Sequence, residues 1–191
     1  MNLKQAICVY CASSANVAQT YLDAAFSLGK LIASTGKQVV CGAGCTGLMG
    51  ALIDGAIAQN GQAIGVIPQF MVENGWHHSQ LTKMEVTDNM HERKKRMAEL
   101  SSAVIALPGG CGTLEELLEI ITWRQLGLYS GNIVILNISG YYNPLLEMLD
   151  NAISQGFMKK DHSQLWQVAT TPEEAVEMAL SHDNTNFSSK Y

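Results

Sequence analysis

Short apolar segments alternate with longer segments of helical periodicity along most of the chain, and this alternation restricts the available folds more than any other feature. Six apolar segments, bounded by glycine, proline or polar residues, predict β-strands at residues 6–10, 38–41, 63–67, 103–107, 133–136 and 165–168. Apolar residues at helical spacing predict helices at residues 17–35, 48–59, 89–101, 113–126, 144–154 and 172–180. Such alternation is typical of βαβ units around a parallel sheet. We therefore predict a doubly wound α/β sheet, mainly parallel, of six or seven strands with helices on both faces.

The length of the chain limits the number of domains. With 191 residues, of which 47% are hydrophobic, the sequence is sufficient for one sizeable core but short for two domains. We predict one domain over residues 1–181. Residues 182–191 are rich in serine and asparagine, and we expect them to form a flexible tail.

Charge and cysteine content restrict the partners and the compartment. The net charge of -5 gives no overall attraction to nucleic-acid backbones, whose binding depends on cationic side chains. Apolar stretches end well before the ~18 to 20 residues needed to cross a bilayer, and the first residues lack the pattern of a secretion signal. Five cysteines, an odd number, favour reduced thiols over a disulfide framework. We therefore expect a cytoplasmic protein that binds neither nucleic acid nor a membrane.

Three loops of small residues follow predicted strands, at residues 11–14, 42–50 and 108–113. In a doubly wound sheet, ligands bind beyond the carboxyl ends of the strands. Glycines at the start of a helix allow backbone N–H groups to approach an anion closely, and the helix terminus adds partial positive charge. The loops therefore predict a phosphate-binding site.

The second loop also matches the dinucleotide-binding pattern G-x-G-x-x-G, at Gly42, Gly44 and Gly47. The following strand leads into Pro68 and Gln69, where that pattern requires an acidic residue, so nicotinamide binding is a secondary hypothesis. Glycines that only form a tight turn are an equal alternative for this loop.

The third loop leads directly into Glu115 and Glu116, which places two acids beside the predicted anion site. Thr113 and Glu116 also have the spacing of a capping box, in which the glutamate only satisfies a helix-end amide. Four cationic residues, 93–96, lie in one predicted helix. They form either a solvated helix face or part of the same anion site. The histidines and cysteines have no metal-ligand spacing, so no metal is expected.

Two of these motifs resemble the signatures of the Lonely guy (LOG) family. Residues 108–116, PGGCGTLEE, resemble the family's PGGxGTxxE signature, and residues 90–94, MHERK, resemble its M-x-x-R-K element. The resemblance implies a Rossmann-like fold without a cofactor. It also implies hydrolysis of a purine nucleoside 5′-monophosphate, either a cytokinin riboside 5′-monophosphate or AMP, to the free base and ribose 5-phosphate. The family's older label of lysine decarboxylase is not supported, because no lysine here lies in a recognisable pyridoxal phosphate motif.

The resemblance further implies roles for individual residues. Arg93 and Glu116 would form the catalytic pair. The residues expected to bind substrate are Ser13, Gly44, Met49, Glu73, Lys94, Gly109, Gly110, Cys111, Gly112, Thr113, Glu115 and Thr122. In two places the chain departs from the family: Ala43 interrupts the usual glycine triplet after Cys41, where tyrosine is common, and Cys111 fills the variable position of the signature.

The family is dimeric, and the predicted helix from Thr113 supports a homodimer. One chain cannot easily bury apolar and aromatic side chains that point to more than one face of a helix. The residues concerned are Ile120, Trp123, Leu126, Leu128 and Tyr129.

The predicted residues suit cleavage of an N-glycosidic bond, in which the ribose acquires positive charge. Glu116 would stabilise that cation or activate the attacking water, and the sequence leaves both roles open. Arg93 would hold planar oxyanions and orient Glu116. A non-catalytic carrier of a nucleotide or phosphorylated cofactor is the alternative, and it needs the glycine loops but no carboxylate. A single-strand-binding module would require aromatic platforms and a basic groove.

Four thiols follow predicted strands, so we expect Cys11, Cys41, Cys45 and Cys111 to gather around one pocket. Cys111 lies in the phosphate loop, where a helix terminus favours the thiolate. We predict that bound nucleotide protects it from alkylation. Cys8, within a strand, is expected to be an inert core residue.

Overall fold

The computed structural model describes residues 6–181, in which seven strands alternate with helices. The strands are β1 (Ala6–Tyr10), β2 (Gln38–Cys41), β3 (Ala63–Pro68), β4 (Lys83–Thr87), β5 (Ser101–Ala106), β6 (Asn132–Leu136) and β7 (Gln167–Ala169). The α-helices are α1 (Gln19–Ser34), α2 (Gly47–Ala58), α3 (Gln69–Glu73), α4 (Met90–Leu100), α5 (Cys111–Gln125), α6 (Asn143–Ser154) and α7 (Pro172–Leu180). Two 3₁₀ turns follow β6 and precede β7, at Ile138–Gly140 and Lys160–Gln164.

The strands form one sheet in the order β4-β3-β2-β1-β5-β6-β7, and every pair is parallel. The chain builds outward from β1 to β4, then returns to the other side of β1 to place β5. This reversal makes a topological switch point between β1 and β5, where the loops after both strands open a crevice. The predicted doubly wound α/β fold is confirmed.

Two hydrophobic cores lie on opposite faces of the sheet, and the central strand contributes to both. Ile7 and Val9 pack with residues of α1, α2 and α7. Cys8 and Tyr10 pack with residues of α4, α5 and α6. Because both faces of a central parallel strand are covered by helices, its sequence is a continuous apolar run. This is why β1, β2, β3 and β5 were evident in the sequence.

The edge strands were harder to predict. Strand β4 has the sequence KMEVT and is largely exposed, so it lacks an apolar run and was not among the six predicted strands. Charged side chains are common on edge strands, where they discourage pairing with other chains. At the other edge, β7 begins at Gln167, two residues later than predicted, because Leu165 and Trp166 are buried beside the sheet before the ladder starts.

The predicted tail, residues 182–191, lies outside the described residues. Across residues 6–181, no helix combines the length and the apolar character that a membrane span requires.

Candidate active site

A cavity of about 690 Å³ opens at the switch point, beyond the carboxyl ends of the central strands. Its walls come from the loops after β1 and β2, the start of α2, the end of β3, the segment that includes α3, the first turn of α4 and the first two turns of α5. The lining residues are Cys11, Ala12, Ser13, Ser14, Gly42, Gly44, Cys45, Thr46, Met49, Ile67, Met71, Trp76, Met90, Arg93, Gly110, Gly112, Thr113 and Glu116.

Arg93 is fixed at the base of the cavity by backbone carbonyls. It lies in the first turn of α4, which Asn89 caps by accepting a hydrogen bond from the amide of Glu92. The Arg93 guanidinium donates from Nε to the carbonyl of Val66 at 3.0 Å and from Nη2 to the carbonyl of Gly42 at 3.3 Å. The residue is only 7% exposed. These bonds leave Nη1 available to face Glu116.

Position 42 must be glycine for this arrangement to form. A Cβ atom at Gly42 would lie 1.7 Å from Nη2 of Arg93, so any side chain would displace the guanidinium. The glycine loop after β2 therefore makes room for an arginine, which is a more specific function than forming a tight turn. The residues of that loop that line the cavity, including Gly44, remain in position to contact a ligand.

Glu116 lies opposite Arg93, in the second turn of α5. Its Oε1 atom is 3.5 Å from Nη1 of Arg93, and the residue is 8% exposed. Burial raises the pKa of the Glu116 carboxyl above its ordinary value, and the charges of Arg93 and Lys94 oppose that rise. The pair is a buried carboxylate and a buried guanidinium in contact, facing a cavity.

The capping-box alternative for Glu116 is wrong. Helix α5 begins at Cys111 with Gly110 as its N-cap, and no side chain caps it. Thr113 and Glu116 are therefore both inside the helix. The first turn of α5 contains no acidic residue and no side chain caps it, so its N–H groups are open to an anion such as phosphate.

Gly110, Gly112 and Thr113 line the cavity at this helix terminus. Gly109 lies just beneath, packed on Thr113: a Cβ atom at Gly109 would lie 2.1 Å from the Thr113 Oγ1 atom. The loop can therefore close on the helix only with glycine at position 109. Ser13, Gly44 and Met49 line other parts of the cavity, as expected.

Lys94 and Glu115 pair with each other outside the cavity. The Lys94 ammonium lies 2.7 Å from Glu115 and 3.2 Å from Glu119, and its side chain is only 5% exposed. Burial alone would lower the pKa of Lys94, but the hydrogen bonds to the two glutamates outweigh burial and raise it. These ion pairs connect α4 to α5. The contact of Arg93 with Glu116 connects the same two helices next to them.

Three other predicted binding residues also lie outside the cavity lining. Glu73 is exposed at the end of α3, where it accepts a hydrogen bond from Gln69 at 3.0 Å. Thr122 is exposed on α5 and donates to the carbonyl of Leu118 at 2.8 Å. Cys111 is exposed at the first position of α5. Any contact of these residues with substrate stays a prediction.

The thiols divide between the cavity and the core. Cys11 and Cys45 line the cavity, as expected, and Cys45 is exposed. Cys41 is buried, and loss of solvation raises its pKa to about 11. Cys111 does not line the cavity, so the expected cluster of four thiols is incomplete.

An apolar wall is the main feature that sequence reasoning missed. It consists of Ile67, Met71, Trp76 and Met90. Trp76 is 52% exposed, and its carbonyl accepts a hydrogen bond from the Cys45 amide at 3.1 Å, which ties this wall to the loop after β2. The methionines resembled core residues in the sequence. The only sign of this wall in the sequence was a tryptophan in an otherwise polar stretch.

The fold and the site define a doubly wound α/β protein with a buried arginine–glutamate pair facing a cavity at its switch point. Comparison with known families gives the family. The model of the family described as "Possible lysine decarboxylase" matches residues 49–179. The cytokinin riboside 5′-monophosphate phosphoribohydrolase LOG of Oryza sativa subsp. japonica is 43% identical over 171 residues, which are 89% of this chain and 70% of that protein. LOG3 of Arabidopsis thaliana is 42% identical over 89% of this chain and 79% of its own length. The chain belongs to the LOG family.

Among the residues that line the cavity there is no lysine. A decarboxylase that uses pyridoxal phosphate needs a lysine to hold the cofactor as a Schiff base. The site therefore does not fit the chemistry that the family's description names.

Solved structures resemble the chain in fold. The molybdenum cofactor carrier protein of Chlamydomonas reinhardtii superposes with a TM-score of 0.70 at 24% identity, covering 93% of this chain and 98% of its own. The molybdenum cofactor binding protein of Rippkaea orientalis gives a TM-score of 0.69 at 24% identity, covering 92% of this chain and 96% of its own. At this identity the likeness concerns the fold alone.

Proposed function

We propose that the protein is a phosphoribohydrolase that cleaves the N-glycosidic bond of a purine nucleoside 5′-monophosphate, releasing the base and ribose 5-phosphate. The observation that carries this proposal is the contact of Arg93 with Glu116 beside the open amino terminus of α5. The names of the LOG relatives from rice and Arabidopsis, which are cytokinin riboside 5′-monophosphate phosphoribohydrolases, support it.

The cavity has a separate region for each part of such a substrate. The 5′-phosphate accepts hydrogen bonds from the amides of Gly110 and Gly112 at the start of α5. The ribose then lies over Glu116, and the base lies against the apolar wall of Met71, Trp76 and Met90. Aromatic side chains commonly stack on nucleobases.

In the reaction, the bond between the base nitrogen and the anomeric carbon breaks, and a water oxygen bonds to that carbon. Positive charge develops on the ribose as the base leaves. The Glu116 carboxylate stabilises this charge or accepts the proton of the attacking water. Arg93, which stays charged, holds Glu116 in place. Over the whole reaction the ribose gains the hydroxyl of the water, and the leaving base gains the proton that the water releases.

A non-catalytic carrier is the alternative, and the position of Glu116 argues against it. Burial raises the pKa of this carboxyl, which is a cost that a carrier of phosphorylated ligands would not need to bear. Catalytic groups often have pKa values shifted in this way.

Two further proposals concern the whole protein. We propose that residues 1–181 form one catalytic domain. We also place the protein in the cytoplasm, because its five cysteines are all free thiols and reduced thiols are typical of that compartment.

The test is a panel of nucleotides: AMP, cytokinin riboside 5′-monophosphate, GMP, adenosine and NAD. Chromatography should detect free base from a purine 5′-monophosphate, and far less from adenosine, which has no phosphate. Glu116→Gln keeps the shape of the side chain and removes its charge, so turnover should fall by at least about a hundredfold while AMP still binds in calorimetry.

The matched control is Glu147→Gln, an exposed position on α6 outside the cavity, which should keep wild-type turnover. If Glu116→Gln retained more than about a tenth of the activity, general-base or electrostatic catalysis by this residue would be excluded. Binding of AMP without release of base by the wild type would favour the carrier.

A further inference from the structure

Three successive carbonyl groups in the loop before α5 each accept a hydrogen bond from a different part of the chain. The carbonyl of Leu107 accepts from the hydroxyl of Tyr142 at 2.7 Å. The carbonyl of Pro108 accepts from the amide of Ala12 at 3.3 Å. The carbonyl of Gly109 accepts from the hydroxyl of Tyr141 at 2.7 Å. Each peptide group in this loop is therefore held in one orientation.

The nitrogen that follows Leu107 belongs to Pro108 and has no hydrogen, so only the bonds to the carbonyls of Pro108 and Gly109 determine where amide hydrogens point. In a planar trans peptide the C=O and the N–H point in opposite directions, and residues 6–181 contain no cis peptide bond. The carbonyl of Gly109 and the amide of Gly110 belong to the same peptide group. A bond from Tyr141 to that carbonyl therefore turns the Gly110 amide away from the tyrosine. Gly110 lines the cavity, and Tyr141 does not.

The loop needs such external support because of its composition. Gly109 and Gly110 are adjacent, and glycine loses more conformational freedom on ordering than any other residue. No side chain caps the helix at Gly110, so the residues of the loop do not fix its amides themselves. A loop that is ordered before the ligand arrives binds more tightly, since the ordering cost is met in folding.

The tyrosine rings are themselves held in place. Tyr142 is 1% exposed, and its amide donates to the Asn137 side chain at 2.7 Å. The Tyr141 ring meets the Tyr142 ring edge-on at 5.1 Å and the Tyr21 ring edge-on at 6.0 Å. The connection between β6 and α6 thus acts as a rigid support for the loop before α5.

We propose that Tyr141 is a positioning residue that orients the phosphate-binding amide of Gly110 through the carbonyl of Gly109. Tyr142 supports the same loop through the carbonyl of Leu107 and holds the Tyr141 ring. The inference rests on the proposed function only in taking a 5′-phosphate as the ligand. Neither tyrosine contacts the substrate, so the effect of Tyr141 should appear in binding of the phosphate more than in the chemical step.

The experiment uses Tyr141→Phe, which keeps the ring contacts and removes only the hydroxyl. The dissociation constant of ribose 5-phosphate, measured by calorimetry, and the KM for AMP should both rise by about threefold to tenfold, the usual effect of one hydrogen bond. The value of kcat should change less. Hydrogen exchange at the Gly110 amide, followed by NMR without ligand, should become faster. Tyr142→Phe should mainly lower Tm, because its hydroxyl is buried and the peptide group that it holds has no N–H to orient.

The matched control is Tyr21→Phe, which keeps the ring that touches Tyr141 and should leave all these values near those of the wild type. Unchanged ribose 5-phosphate binding and unchanged Gly110 exchange in Tyr141→Phe would overturn the proposal. A lower Tm without weaker binding in Tyr141→Phe would also overturn it, since that tyrosine would then be purely structural. If the wild type bound ribose 5-phosphate but released no base from AMP, only the proposed hydrolase activity would be excluded. The binding of ribose 5-phosphate would still test the role of the tyrosines.

Discussion

At the scale of single residues, the site combines groups that are unfavourable for stability with neighbours that make them tolerable. The Glu116 carboxyl is buried and therefore costly to ionise, and the Arg93 guanidinium 3.5 Å away offsets part of that cost. The carbonyls of Val66 and Gly42 in turn hold Arg93. The proposed catalytic pair is thus supported by backbone that only the folded sheet brings together.

The pH dependence of turnover follows from Glu116. The carboxylate is the active form, so kcat should fall as the pH falls through its pKa in the substrate complex. Because burial raises this pKa above the ordinary value of 4.5, the fall should begin at a higher pH than for an exposed glutamate. A kcat profile under saturating AMP measures it, with Glu147→Gln as the control. A kcat that stayed constant down to about pH 4.5 would contradict the proposed role.

Ala43 is a second residue-scale case, and here the property affected is stability. It has a φ of 68° and is fully buried, in a region where side chains other than glycine are strained. Ala43→Val should lower the free energy of unfolding by roughly 2 to 4 kcal/mol, from backbone strain and overpacking. Ala43→Gly should stay within about 1 kcal/mol of the wild type, because relief of strain offsets the added freedom of the unfolded chain. Denaturant unfolding measures the free energy of unfolding of both variants. Equal destabilisation by the two substitutions would show that the backbone at Ala43 is not strained.

At the scale of elements, most of the site is built by helix termini and by the loops that enter them. Helix α4 contributes Arg93 to the cavity, while Lys94, the next residue, fastens α4 to α5 through Glu115 and Glu119. The apolar wall comes from the end of β3, from α3 and the segment after it, and from the first residue of α4. Under the proposed function, this division separates the groups that perform the chemistry from the groups that contact the base.

Trp76 tests that division. Stacking of an aromatic ring on a base is worth about 1–3 kcal/mol, so Trp76→Ala should raise the KM for AMP by roughly tenfold. Binding of ribose 5-phosphate, which has no base, should be unaffected. Phe70→Ala removes an aromatic side chain of similar exposure from α3, outside the cavity, and serves as the control. Equal losses for AMP and for ribose 5-phosphate would place Trp76 away from the base.

At the scale of the whole molecule, we propose a homodimer formed through the outer side of α5. Leu126 and Leu128 are 40% and 70% exposed, and Leu128 lines a cavity of about 300 Å³ with Trp123 and Tyr129. Ile120 and Tyr129 are buried within the chain, so fewer apolar residues remain for an interface than the sequence indicated.

Light scattering at micromolar concentration should give twice the mass of the chain. Leu128→Glu should shift the mass toward the monomer, because it places a charge in an apolar contact. Phe157→Glu changes another exposed apolar residue, after α6, and should leave the dimer intact. A wild type that was monomeric, or a dimer that Leu128→Glu did not weaken, would exclude this interface.

The sequence by itself determined the central sheet, because parallel strands covered on both faces must be apolar throughout. It also indicated the glycine-containing loop before α5. Motifs shared with the LOG family indicated Arg93 and Glu116. Only the tertiary structure placed Lys94 and Glu115 outside the cavity and assembled the apolar wall with Trp76. It also showed the tyrosines that hold the loop before α5. These features depend on which side chains meet across distant segments, and periodicity along the chain carries no information about such contacts.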